Sequence, residues 1–169
     1  MGVVDATEIE VGRPTNSAQQ KLFYSGKKKY HTAKFQLVVL PISGVIIHVA
    51  GPVPGSVHDI KLFDTSGVSS ILRHREFIMG DSGYQGLESR GVECIIPRKK
   101  PRGSDRSRED MEFNAALSKH RVIVENVISR IKNFQIVGKK WRGRIRNLDD
   151  LQITFRLCAA LVNVQKKCS

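Results

Sequence analysis

The 169-residue sequence lacks any apolar run near the ~18 residues that a membrane-crossing helix needs, so no membrane partner is expected. Its start lacks a basic segment leading into an apolar one, so nothing reads as a secretory signal. Cysteine is scarce. Cys94, Cys158 and Cys168 stand apart with no C-x-x-C spacing, which argues against a disulfide framework and a zinc site and points to a reducing, cytoplasmic compartment. Also absent are a P-loop, an H-E-x-x-H and a G-x-S-x-G, so three common chemistries lack their residues. Acidic residues are the other shortage: 16 Asp+Glu face 28 Lys+Arg, a formal net charge of +12 and a pI near 10.0. Such a surplus suits a polyanion, because each neutralised phosphate releases counterions. The plainer alternative is a basic soluble or ribosome-associated protein. With 40% hydrophobic residues, the chain suits one domain with a proper core, spanning 1–169.

The apolar pattern predicts a strand over Val3–Val11, a polar loop over residues 12–26, and a hairpin of Tyr30–Leu40 and Val45–Ala50 ended by Gly51-Pro52-Val53-Pro54-Gly55. Ser56 is placed to cap a short helix over Asp59–Phe63. Short buried strands are expected at Phe77-Ile78-Met79 and Glu93-Cys94-Ile95-Ile96. From Glu109 to Phe134 the pattern turns helical, with Leu117, Ile123, Val124, Val127, Ile128 and Ile131 on one face. Asn147 or Asp149 opens a last helix whose apolar face is read as Leu151, Phe155, Cys158, Leu161 and Val164. The order suits an α/β fold: a mixed sheet of about five strands flanked by helices, ribonuclease-H-like.

Three carboxylates stand out. Asp5 lies among Val3, Val4 and Ala6 in the first strand, where a charge is costly unless paired or metal-bound; the alternative is an outward polar residue. Asp81 follows a buried strand within Gly80-Asp81-Ser82-Gly83-Tyr84, at a strand end where ligand sites form, though Asp and Gly also make plain turns. Glu125 is four residues after Arg121 and seven before Lys132, so the three share a helix face, as an ordinary surface salt-bridge row also would. Hard divalent cations take oxygen ligands, and two of them about 4 Å apart can serve an in-line phosphoryl displacement. That chemistry needs carboxylates from separate elements converging at one sheet edge.

Four segments together resemble the DDE transposases of bacterial insertion sequences, in the branch related to the PIF/Harbinger elements. They are Val4-Asp5-Ala6-Thr7-Glu8-Ile9, Gly55-Ser56-Val57-His58-Asp59, Gly80-Asp81-Ser82-Gly83-Tyr84, and the Arg121, Glu125, Lys132 spacing. They fall in the family's order and cover about Val3 to Val164. The position three before the arginine, a Tyr in the fuller motif, is Ser118 here. The resemblance implies a ribonuclease-H-like fold and a two-metal site for Mg²⁺ or Mn²⁺. It implies catalytic roles for Asp5, Asp81 and Glu125, Asp59 as a further metal ligand, and cleavage of mobile-element ends with joining to a target. It further implies a homo-oligomer in a synaptic complex. The family's usual N-terminal helix-turn-helix segment is not seen before the first strand, so a separate polypeptide carrying one is an expected partner. The alternatives are a truncated, incompetent transposase that only binds DNA, and a structure-specific nuclease of the same fold.

DNA needs cations to overcome the repulsion of these carboxylates. Lys27-Lys28-Lys29, the Arg98–Arg102 segment with Lys99 and Lys100, and the segment with Lys139, Lys140, Trp141, Arg142, Arg144 and Arg146 supply them. Trp141 either stacks on a base or anchors its loop in the core. Arg121 and Lys132 either meet phosphate or orient Glu125. The expected setting is the nucleoid.

Overall fold

The structure is a computed structural model and describes residues 1–73, 75–100, 103, 105–145 and 147–167. Cys168, Pro101, Arg102 and Arg146, singled out above, lie outside the described residues. Five strands, β1 (Gly2–Glu10), β2 (Thr32–Val39), β3 (Ile46–Pro54), β4 (Ile78–Met79) and β5 (Cys94–Ile95), form one sheet in the order β3-β2-β1-β4-β5. The first three pair antiparallel, and β4 and β5 run parallel to β1. Helices α1 (Ser17–Phe23), α2 (Asp59–Thr65), α3 (Val68–Ile71), α4 (Arg108–Lys132), α5 (Gln135–Gly138) and α6 (Asp149–Lys167) flank it. This is the α/β, five-stranded mixed sheet expected of a ribonuclease-H-like arrangement.

Strand alternation sorts the core onto two faces. Val3, Ile9, Phe35, Leu37 and Val39 meet Leu117, Val124, Val127 and Ile131 of α4 and Leu151, Phe155 and Val162 of α6. Val4, Val38 and Ile78 face the other way, against Phe63 of α2, Val68 of α3 and the Tyr84 ring. The Phe35 and Phe155 rings stack at 4.0 Å and 10°, fixing α6 to the sheet.

Four expectations change. The supposed loop 12–26 contains α1, because Asn16 Oδ1 accepts from Ala18 N and Gln19 N and so caps a turn that buries Phe23. Strand β3 does not stop at Ala50. It continues through Pro52 and Pro54, which an edge strand tolerates because half its backbone donors have no ladder partner to serve. Ser56 does not cap α2: His58 holds that position, with no side-chain hydrogen bond. On α6, Leu161 and Val164 are exposed, and Ala159 and Val162 are buried instead. A 3.6-residue period carries the inner stripe one step round the helix by its last two turns.

Phe155→Ala should lower unfolding stability by about 3–5 kcal/mol, since both stacked rings are fully buried. Urea denaturation measures this; a loss under about 1 kcal/mol would show that the pair does not hold α6 in place.

Candidate active site

Strand β4 is very short. It meets β1 only at Gly2↔Ile78 and Val3↔Met79, so from Val4 onward that side of β1 has no neighbouring strand. The backbone groups left there still need partners. Ala6 N–H donates to Asp5 Oδ1 at 2.8 Å, Lys132 Nζ donates to Glu8 O at 3.0 Å, and Trp141 N–H donates to Glu10 O at 2.8 Å. Asp5 therefore stands at the mouth of a notch in the sheet. The parallel register Val3↔Met79, carried two residues further, brings Asp81 level with it. Period-two alternation turns both toward α4, which carries Glu125.

Asp5 responds to all of this. Burial is the largest influence and pushes its carboxyl up to about 6; the Ala6 hydrogen bond and the Arg121 charge pull it down, and Asp81 and Glu125 push it further up. The three predicted carboxylates thus share one electrostatic neighbourhood. Asp81 Oδ1 accepts from Gly83 N at 2.8 Å and caps the turn Ser82–Tyr84. Glu125 is exposed and pairs with Arg121, Nη2 to Oε1, at 3.6 Å.

Asp59 reaches the notch from the opposite face. A Cβ on Gly83 would stand 2.8 Å from Asp59 Oδ2 and 2.9 Å from Asp81 Oδ1, so the glycine keeps open the space both carboxylates border. The other Asp59 oxygen, Oδ1, accepts from Lys34 Nζ at 2.8 Å. Lys34 is only 7% exposed and also donates to Val57 O at 2.5 Å, with Glu8 Oε1 at 4.0 Å. Thr32 Oγ1 donates to Glu8 Oε2 at 2.7 Å. The Lys34–Glu8 brace was missed in the sequence, although the pairing Glu8↔Lys34 follows once the register of β1 against β2 is known. A cleft of about 250 Å³ opens between Asp5, Glu8, Asp59, Lys27 and His58.

Tyr84 was also passed over as a site residue. Its ring is fully buried and its hydroxyl has no hydrogen-bond partner among the described residues. A buried hydroxyl left so costs about 1–3 kcal/mol. Burial, and then the charges of Asp59, Asp5 and Asp81, hold its phenol well above the ordinary range, with Arg121 opposing.

Does this donor set suit a hard divalent cation? The donors are carboxylate oxygens from separate elements, and Asp5 and Asp81 have no ion-pair partner among the described residues. In kind they fit. In distance, no group of three such side chains is drawn together tightly enough to grip an ion among the described residues. Desolvated carboxylates this near one another repel, which keeps these oxygens apart while no cation neutralises them.

The basic residues divide by position. Lys99, Lys139, Arg142 and Arg144 are exposed. Lys100 pairs with Asp105 at 3.0 Å and Lys140 with Glu10 at 3.6 Å. A cleft of about 440 Å³ runs from Asp81 past Lys99, Lys100, Arg106 and Arg121. Two others are turned inward. Lys132 spends its ammonium on β1, and burial, then the Lys28 charge, lower its pKa against the pull of Glu8. Trp141 packs into the core, 9% exposed.

Residues 4–163 match the family model described as DDE superfamily endonuclease. The chain is 40% identical over 146 residues to a protein of Microchaete diplosiphon named "Probable transposase for insertion sequence element IS702", a match covering 85% of this chain and 50% of that one. The chain thus spans about half the length of this curated relative. No solved structure matches it.

Because its folded pKa is raised, Asp5 favours the fold while protonated. That contribution is complete below about pH 4, the unfolded value, and is lost as pH rises through about 6. Asp5→Asn should therefore melt above the wild type at pH 7 in metal-free buffer, by at most about 3 kcal/mol, and the gain should shrink toward pH 4. A gain that stays flat from pH 4 to 7 would contradict the burial of this carboxyl.

Proposed function

The chain belongs to the DDE superfamily endonucleases, and from that premise we propose that it is the catalytic part of a transposase that cleaves DNA at the ends of a mobile element and joins them to a target. The observation that carries this reading is the notch, where carboxylates of β1, the β4 end and α4 act on one another in an otherwise basic protein. Asp5, Asp81 and Glu125 are the catalytic carboxylates and would hold Mg²⁺ or Mn²⁺, with Asp59 as a further ligand. When bound, a pair of such ions activates the attacking oxygen and neutralises charge on the leaving one.

The chain's own residues do the rest. Arg121 stands beside Glu125 and orients it. Lys34 fixes one Asp59 oxygen and leaves the second facing Asp81 across Gly83. Lys99, Lys100 and Arg106 flank the cleft that leads to Asp81, and Lys139, Arg142 and Arg144 extend the cationic surface. These contacts hold phosphates without reading bases, so selection of the element ends falls to another segment or polypeptide. Water first cleaves a strand and leaves a 3′ hydroxyl. That hydroxyl then displaces a phosphate ester of the target, with no covalent enzyme intermediate. Two ends must meet, so the working form is a homo-oligomer bridging them.

Asp81→Ala and Glu125→Ala should each reduce Mn²⁺-dependent nicking and strand transfer on element-end DNA by at least about 100-fold while leaving DNA retention intact. Wild-type rates in both variants would remove the assignment. Nicking of junctions or hybrids without any joined product would replace it with a structure-specific nuclease.

A further inference from the structure

Helix α6 is held to the sheet along one side and left bare along the other. Phe155 stacks on Phe35, and Gln152 Nε2 donates to Gly51 O at 2.9 Å. Asn163 accepts from Ile46 N–H and donates to Ile46 O, each at 2.9 Å. These contacts fix the rotation of the helix. The side turned outward is nevertheless apolar. Ile153 is 65% exposed, Leu157 58% and Val164 57%, with Ala160 exposed between them and Leu161 alongside. Singly exposed apolar residues are ordinary, but a contiguous row of them marks a contact surface.

The spacing of the row matters as much as its polarity. Residues 153, 157, 160 and 164 lie four, three and four positions apart, the a and d seam of two packed helices. In the same frame the next seam positions are Asp150, in the first turn of α6, and Lys167, its last residue. The row therefore complements its own reverse. An antiparallel pair sets Leu157 against the small Ala160, Ile153 against Val164 and Asp150 against Lys167, so large meets small and acid meets base. A parallel pair sets Leu157 on Leu157 and Asp150 on Asp150. We propose that the outer face of α6 pairs antiparallel with the same face of a second copy of this chain, about a two-fold axis level with Cys158 and Ala159. This gives the subunits that bridge element ends a contact, and it stands on the helix face even if the reading of the notch falls.

The test is sedimentation velocity of the full chain without DNA or metal. One helix seam is small beside the ~800 Å² per partner of a standard interface, so the expected dimer is weak, half-formed at roughly 10–100 µM. Leu157→Glu should raise that concentration at least about 10-fold, because both copies lose a buried leucine. It should leave the melting of the dilute monomer unchanged, since the residue is exposed there. Orientation is read by thiol cross-linking of Ile153→Cys and Val164→Cys chains, each also carrying Cys94→Ser and Cys168→Ser. Antiparallel pairing separates the two copies of residue 153 by about 16 Å along the helix axis. A shorter bismaleimide should therefore join the two variants to each other and neither to itself. A wild type still monomeric at roughly 1 mM overturns the proposal and leaves the face to another segment or polypeptide. A dimer that survives Leu157→Glu overturns it too, because another surface then holds the pair. Self-linking of Ile153→Cys would make the pair parallel, with the same consequence.

Discussion

The site depends on how little of β1 its parallel neighbour covers. Ending β4 at Met79 leaves β1 with backbone donors and acceptors facing a gap, and burying them unpaired would cost more than most side-chain contacts return. Three side-on partners meet that demand: the Asp5 carboxylate, the Lys132 ammonium and the backbone N–H of Trp141. One of the three is itself a proposed catalytic group. Another comes from the helix that carries Glu125. The backbone account of a single strand thus sets where the acidic residues stand.

The gap also explains why both faces of the sheet contribute. In an unbroken sheet, side chains on opposite faces are kept apart by the backbone layer. Beyond the end of β4 that layer is missing, so Asp59, from the α2 side, borders the same space as Asp81 over Gly83. The charges gathered there are held apart by internal cations. Lys34 is buried against Asp59 and Glu8, and Arg121 stands beside Glu125. Removing Lys34 would strand the largely buried charges of Asp59 and Glu8, so this base belongs to the scaffold of the notch as firmly as any apolar contact.

Much of this was legible from local pattern, because local pattern reports faces and ends. The apolar, β-rich run from Val3 to Val11 gave the strand, Gly80-Asp81-Ser82-Gly83 gave the turn after β4, and the apolar spacing from Leu117 to Ile131 gave α4. What stayed hidden depends on partners distant in sequence. That Lys132 and Trp141 turn inward follows from carbonyls of Glu8 and Glu10 more than a hundred residues away. The Lys34–Asp59 pair joins a strand to a helix through the unforeseen extension of β3. The inner face of α6 was misassigned near its end because a repeating i, i+3, i+4 choice between Leu161 and Val162 has no local tie-breaker; the sheet decides it.

The spacing of Arg121, Glu125 and Lys132 acquires a physical meaning here that a list of matched positions lacks. At 3.6 residues per turn the three lie on one helix face, yet each has a different task. Arg121 sits inside with its Nε unpaired among the described residues and its Nη2 toward Glu125, while Glu125 remains exposed at the notch. Lys132, almost two turns on, binds the β1 carbonyl and so fixes both the rotation and the axial position of α4 against the strand. Shifting the lysine by one residue would turn it about 100° round the helix and away from Glu8. The carboxylate would then lose the anchor that holds its helix face toward Asp5. The lysine is thus needed at that interval for registry, whether or not its charge ever meets DNA.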